Sequence, residues 1–152
     1  MKTLVVYDSV YGNCEKVANA IGKAISSEAK VIRASEANST VLGNFELLIV
    51  GSPTHGGRPM ESVKAFLENI PADVFKGKKA VAFDTRFSVK SQGAFLKLLV
   101  KVLGHASSKI SKALDKKGAK IIAEPHGFSV TGKEGPLEKG ELERAQEWAK
   151  TL

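Results

Sequence analysis

Five apolar runs alternate along the chain with segments whose apolar residues recur at helical spacing. The apolar runs, which predict strands, cover residues 2–8, 30–34, 45–50, 78–83 and 119–123. The helical spacing predicts helices over 13–26, from Pro59 to Ile70, from Phe95 to Gly118 with a break at Gly104, and over 138–152. Strands that alternate with helices predict an α/β fold, a doubly wound five-stranded parallel sheet with right-handed crossovers. We expect one domain over residues 1–152, with the fifth strand interrupted at 124–127 by Pro125 and resuming at 128–130.

Polar and glycine-rich residues follow the first predicted strand. The stretch from Asp8 to Cys14 stands between that strand and the first helix, so it predicts a tight turn at a helix N-terminus. Such a turn offers unpaired N–H groups and a partial positive charge, both of which favour an anion. This stretch therefore predicts a phosphate site, although the pattern alone occurs in many α/β proteins.

Two further strands end in comparable segments. The third strand leads into the glycine-rich loop Gly51–Pro59, and the fourth ends in Asp84–Phe87. Ligands of doubly wound sheets bind beyond the carboxyl ends of the strands, near the point where the strand order reverses. We therefore expect the three segments to form one composite pocket at that edge.

The charge of the chain is concentrated in one segment. The formal net charge is +7, and residues 86–120 contain nine basic residues against the single acid Asp115. This predicts a basic face, either a solvated helix surface or a docking surface for an acidic partner. The apolar residues 95–100 could add a dimer or membrane-surface contact. Nucleic acid is not expected as a partner, because aromatic residues are not interleaved with the lysines.

The chain shows no signal-peptide pattern and no apolar stretch of about 20 residues, so we expect a cytoplasmic protein. Cys14 is the only cysteine and cannot form an internal disulfide. The three histidines have no ligand spacing, so no metal site is expected.

The three segments and the tail resemble the flavodoxin family. Residues 9–14 resemble its phosphate loop, 51–57 its second flavin loop and 84–87 its third. The tail, with Gly135-Pro136-Leu137 and then residues 140–145, is similar to the ending of short flavodoxin-like proteins. The resemblance covers nearly the whole chain and implies strand order 2-1-3-4-5 with FMN at the switch point.

On this resemblance, the phosphate of FMN would lie on residues 9–14, and the other two loops would flank the isoalloxazine. A peptide in Thr54–Gly57 would form a hydrogen bond at flavin N5. The implied cofactor-binding residues are Ser9, Val10, Tyr11, Gly12, Asn13, Cys14, Ser52, Pro53, Thr54, His55, Gly56, Gly57, Asp84, Thr85, Arg86 and Phe87.

The sequence departs from the family pattern at several of these positions. The expected tryptophan and tyrosine that sandwich the flavin are missing, since the only tryptophan is Trp148 in the last helix. His55 and Phe87 are then the expected ring neighbours. Tyr11 and Cys14 replace two threonines of the phosphate loop. Cys14 is interpreted as a small filler, the alternative being a reactive thiol at a helix N-terminus.

The polar residues of the third segment have two interpretations. Asp84 and Arg86 could contact the polar edge of the flavin, or they could pair with one another at a strand end. Trp148 is interpreted as a core residue.

Three functions agree with these patterns. The leading hypothesis is an FMN-binding electron-transfer protein, monomeric or weakly dimeric, that serves a redox partner protein and has no acid/base catalytic residue. An alternative is a small flavin-dependent oxidoreductase acting on a quinone or porphyrinogen-type substrate, for which the missing aromatic sandwich would leave room. A third is a flavin-free module that docks an acidic partner through residues 86–120.

Overall fold

The computed structural model describes residues 1–87 and 93–152, and it contains six strands and seven α-helices in these residues. The strands are β1 (Thr3–Tyr7), β2 (Lys30–Arg33), β3 (Leu47–Pro53), β4 (Lys79–Phe87), β5 (Lys120–Ile121) and β6 (His126–Val130). The helices are α1 (Asn13–Ile25), α2 (Ser39–Gly43), α3 (Glu61–Asn69), α4 (Ala72–Phe75), α5 (Ala94–Leu103), α6 (Ala106–Lys116) and α7 (Glu141–Ala149). A short 3₁₀ turn covers Ala34–Glu36.

The strands form one parallel sheet in the order β2-β1-β3-β4-β5, which confirms the predicted fold class and strand order. The fifth position is shared by two segments, because β6 also pairs with β4, further along it than β5 does. The interruption lies at residues 122–125 rather than at 124–127 as expected. Pro125 stands in that gap, where the ladder needs no N–H from it.

Alternate residues of the central strands face two separate cores. Leu4 and Val6 of β1 pack with α3, α4 and α6 on one face, whereas Val5 and Tyr7 pack with α1 and α7 on the other. Both faces are apolar because helices cover both, as is usual in a parallel sheet. This arrangement leaves the carboxyl ends of the strands as the edge where polar loops meet.

The structure corrects several predicted boundaries. Strand β3 runs to Pro53, so the first three residues of the expected loop Gly51–Pro59 belong to the strand. The last helix covers Glu141–Ala149, which is shorter than the expected 138–152. The expected loop Asp84–Phe87 is the last part of β4, where Asp84 pairs with Ser52 on one side and with Gly127 on the other. Helix α3 begins at Glu61, two residues after Pro59. The break at Gly104 is confirmed, with φ of 76° between α5 and α6. No helix in the described parts of the chain has the length and apolar character needed to span a bilayer.

Candidate functional site

The turn between β1 and α1 has the geometry of an anion-binding loop. Gly12 has φ of 90°, a conformation that few residues other than glycine adopt. Its N–H donates to Ser9 Oγ over 3.0 Å, and its carbonyl accepts the first helical bond, from Lys16 N. The amides of the following first turn, among them those of Asn13 and Cys14, have no acceptor inside the helix. They are the donors that a phosphate would use.

A group of charged side chains lies behind this loop. Asp8 Oδ1 accepts from Ser9 N and from Arg33 Nη1, both over 2.8 Å. Arg33 also donates to Glu15 Oε2 over 2.6 Å, and Glu15 accepts in turn from the hydroxyl of Tyr7. Burial and the bond to Glu15 raise the pKa of Tyr7. The guanidinium of Arg33 therefore pairs with carboxylates at the base of the loop, a role that the sequence did not reveal.

Residues after β6 form a fourth loop beside the phosphate loop. Asn13 Nδ2 donates to the carbonyl of Glu134 over 3.1 Å. Gly135 lies so close to Asn13 that a Cβ on this glycine would come within 2.5 Å of the amide group. Val130 and Lys133 from this region line the same cleft as the phosphate loop. Neither residue is among those predicted from the sequence.

The second glycine-rich loop is a tight turn closed by two hydrogen bonds between His55 and Arg58, each of 3.0 Å. Its two central residues, Gly56 and Gly57, have φ of 57° and 76°. The turn is tied to α6, because Lys109 Nζ donates to the carbonyl of Gly57 over 2.6 Å. His55 is exposed and contributes to the cleft.

Ser52 and Thr54 hold the start of this loop in place. Ser52 is fully buried, and its Oγ accepts from Met60 N and donates to the carbonyl of Pro53, both over 2.8 Å. Thr54 Oγ1 accepts from Ala106 N over 2.9 Å. Ser52 therefore shapes the loop from within, whereas Pro53 and Thr54 reach the cleft.

Asp84 and Arg86 pair with one another, which was one of the two interpretations of the sequence. Asp84 is 0% exposed and also accepts from Ser107 N over 2.9 Å. Gly127 permits this pair, since a Cβ there would lie 2.3 Å from Arg86 Cζ. Arg86 lines the cleft and Asp84 does not.

The cleft therefore collects residues from all three predicted segments. The predicted residues that line it are Ser9, Val10, Tyr11, Asn13, Cys14, Pro53, Thr54, His55, Thr85, Arg86 and Phe87. Those that lie outside its lining are Gly12, Ser52, Gly56, Gly57 and Asp84. Among the described residues, the lining includes the cations of Arg86 and Lys133 and no carboxylate.

The enclosed part of the cleft is small, about 40 Å³. A ligand the size of a flavin ring must therefore rest against its rim or move rim side chains apart. Tyr11 and Phe87 form part of this rim and are 41% and 42% exposed. Tyr11 is thus a further exposed aromatic side chain at the rim, in addition to His55 and Phe87, the ring neighbours expected from the sequence.

Cys14 and Trp148 are both packed into or against the core. The thiol of Cys14 is 1% exposed, and burial raises its pKa well above the usual value, with Asp84 and Asp8 adding to the effect. Trp148 packs against the core beside α1 and stacks on His126, with ring centroids 5.1 Å apart. Neither residue of that stack belongs to the cleft lining.

The basic segment 86–120 does not form a single uniform face. Arg86 is paired with Asp84, Lys109 donates to Gly57, and Lys117 donates to the carbonyls of Glu68 and Ile70. Lys90 lies outside the described residues. The exposed lysines of the two helices are Lys97, Lys101, Lys109, Lys112 and Lys116.

A family model described as a flavodoxin domain matches residues 4–124. A flavodoxin from the domain Archaea has a similar fold, with a TM-score of 0.72 and 22% identity over 98% of this chain and 94% of its own. The two-electron reduced flavodoxin of Megasphaera elsdenii gives 0.70 and 22%, over 99% of both chains. Rubredoxin oxygen:oxidoreductase from Desulfovibrio gigas gives 0.74 and 18%, and the match covers 99% of this chain but 35% of that protein. No curated protein matches the sequence significantly.

Proposed function

The chain belongs to the flavodoxin domain family, and from that premise we propose that it binds FMN and transfers electrons to or from a redox partner. The single observation that carries the proposal is the cleft itself. Residues from the ends of β1, β3 and β4, far apart in the sequence, meet at the switch point of the sheet, where β1 lies between β2 and β3.

The donor set at one end of the cleft suits a phosphate monoester. The first-turn amides of α1 supply N–H groups, Ser9 supplies a hydroxyl, and Lys133 adds a positive charge on the loop held by Asn13. The neighbouring carboxylates Asp8 and Glu15 are paired with Arg33, which reduces their repulsion of an anion.

The other end of the cleft suits a planar ring. Thr54 and His55 would hold one side, and Thr85 with Phe87 the other, while Arg86 would face the ring from its ion pair with Asp84. A bound flavin supplies one- and two-electron chemistry. The protein's contribution is to bind the flavin, orient it and set its electrostatic surroundings.

The test is the visible spectrum of freshly purified protein, followed by titration with FMN and, in parallel, with riboflavin. We expect a flavin spectrum, or quenching of added FMN fluorescence at stoichiometric amounts, with riboflavin binding more weakly because it lacks the phosphate. A colourless protein that binds neither compound would refute the proposal. It would leave the flavin-free docking module as the alternative.

A second candidate is a flavin-dependent oxidoreductase that acts on a quinone or a porphyrinogen-type substrate. One observation favours it. The only tryptophan of the sequence is stacked on His126 outside the cleft, so no tryptophan ring would stack on a bound flavin. Reduction of a quinone by the protein carrying chemically reduced FMN, faster than by free reduced FMN, would support this activity. Equal rates would leave electron transfer to a protein as the proposal.

A further inference from the structure

Helix α5 presents an apolar face to solvent. Phe95, Leu98 and Val102 are 72%, 59% and 75% exposed. Their spacing of three and four residues places them in one row along a helix. On the same helix, Leu99 is half-buried, and Leu103 lies against Gly57, whose Cβ position is 2.8 Å from Leu103 Cβ. Helix α5 therefore lies beside the glycine-rich turn that contains Gly57. Its row of large apolar side chains faces solvent.

This row belongs to a larger group of exposed apolar side chains at the same edge of the sheet. Among the described residues, seven of the nine exposed large hydrophobic residues come from the phosphate loop, the end of β4 or α5. These seven are Val10, Tyr11, Phe87, Phe95, Leu98, Val102 and Leu103. Concentrated exposure of this kind marks an interaction surface rather than ordinary surface variation.

The charged residues of α5 itself have one sign. No acidic residue occurs between Ala94 and Leu114. Lys97 and Lys101 are exposed and four residues apart, so they form a second row along α5. Lysines beside an apolar row are typical of a helix that lies in the plane of a lipid headgroup layer, where the lysine stems extend along the apolar boundary and the ammonium groups meet lipid phosphates.

We propose that α5 docks the protein on the surface of a bilayer that contains anionic phospholipids. An acidic protein could pair with the lysines, but it would also need a groove matching the convex row of Phe95, Leu98 and Val102. A bilayer surface accepts a convex apolar row without a matching groove, and its anionic headgroups complement Lys97 and Lys101.

The test is sedimentation of the full chain with vesicles of phosphatidylcholine, with and without phosphatidylglycerol. We expect binding to the vesicles that contain phosphatidylglycerol, with the bound fraction falling as salt rises. The docking does not require a flavin, since all the contacts come from α5. Failure to bind anionic vesicles can therefore be distinguished from failure to bind FMN.

Two pairs of matched variants separate the apolar and charged contributions. L98S/V102S should reduce the partition coefficient about tenfold or more, whereas L142S, at an exposed position of α7, should leave it unchanged. K97E/K101E should abolish the preference for phosphatidylglycerol, whereas K16E/K23E on α1 should weaken binding only slightly. Circular dichroism of each variant checks that the fold is retained.

A fluorescence measurement reports the depth of α5 directly. F95W should show a blue shift on vesicles, because its indole enters the acyl boundary, and L142W should show none. Trp148 contributes the same background to both. Absence of binding to anionic vesicles would overturn the proposal, as would equal binding by L98S/V102S and L142S or self-association through α5 in place of lipid binding.

Discussion

Arg86 donates two hydrogen bonds, from Nε and Nη2, to the fully buried carboxylate of Asp84, over 2.7 and 2.8 Å. The same Nη2 also lies 3.2 Å from Ser107 Oγ, and Ser107 N donates to Asp84. This pair therefore joins the end of β4 to the start of α6. It holds the two elements together at the cleft, which Arg86 lines.

Loss of Arg86 should destabilise the fold more than loss of the charge on Asp84. R86A leaves a buried carboxylate without its cation and should lower the free energy of unfolding by about 3–5 kcal/mol. D84N keeps the shape of the side chain and leaves a cation that can reach solvent. It should therefore lower the free energy of unfolding by less than R86A does. Urea unfolding monitored by circular dichroism measures both, with the exposed K116A as control. Equal stability of R86A and K116A would contradict this account of the pair.

A side chain at position 127 should displace Arg86, because the guanidinium occupies the space where a Cβ would stand. G127A should force the guanidinium away from Asp84 and lower the stability by about 1–3 kcal/mol. Gly43 is the matched control, since a Cβ there meets nothing within 4 Å. G43A in helix α2 should be neutral or should raise stability by about 0.5–1 kcal/mol. Thermal unfolding of G127A and G43A, measured side by side, tests this prediction. A similar loss of stability in both variants would contradict the close approach of Arg86 to Gly127.

Cys14 should be unreactive in the native protein, since its thiol is buried and its pKa is raised. Modification by a chromogenic disulfide reagent at neutral pH should be at least about 100-fold slower than in urea, because reaction requires opening of the fold. C14A/S27C, with its cysteine at an exposed position, should react rapidly in the folded state. Fast native labelling of Cys14 itself would favour the reactive-thiol interpretation.

Stability should fall as the solution is acidified through the range where histidine titrates. Burial lowers the pKa of His126, with Arg144 adding to the effect, and Arg144 forms a hydrogen bond to His126 Nε2. The folded state thus binds fewer protons than the unfolded state. The histidine's contribution is fully present above the unfolded pKa of about 6.5 and is lost as the pH falls below it towards the lower folded pKa.

Protonation of Glu141 should also lower the stability of the fold on acidification, at a lower pH than that of His126. The bond from Arg144 lowers its pKa, so its contribution is present above about 4.3 and is lost as the pH falls through the folded value. H126Q should flatten the stability profile between pH 7.5 and 5.5, the range around the histidine pKa of about 6.5, and should leave the loss at lower pH in place. Urea midpoints across this range measure the effect. If the slope of stability against pH is unchanged in H126Q, the loss of stability in this range does not come from His126.

Lys133 should favour FMN over riboflavin. K133Q removes a partly solvated charge near the phosphate loop, so FMN should bind about 2–5-fold more weakly, which corresponds to about 0.5–1 kcal/mol. Riboflavin binding should not change. Fluorescence titrations with both compounds at low salt measure the difference, and K139Q, on an exposed residue outside the cleft lining, is the control. Equal losses for both flavins would place Lys133 at the ring rather than at the phosphate.

Local patterns in the sequence were sufficient to predict the order of the strands and of the longer helices, but not the short helices α2 and α4. Leu4, Val5 and Val6 form an unbroken apolar run because helices cover both faces of the sheet, and that run is visible without the structure. The turn at Gly12 and the break at Gly104 were visible for a similar reason, since both are set by backbone conformation at one residue.

The limits of β4 and the membership of the cleft depended on contacts between distant residues. Asp84–Phe87 has the composition of a loop, but it is a strand because β6 continues alongside it and Gly127 leaves space for Arg86. Val130 and Lys133 entered the site because Asn13, more than 100 residues earlier, holds their loop. The sequence by itself determined the fold and three of the segments at the site, since periodicity and turn chemistry are local. Only the tertiary structure decided which side chains face the cleft, because strand pairing and burial join residues that the sequence keeps far apart.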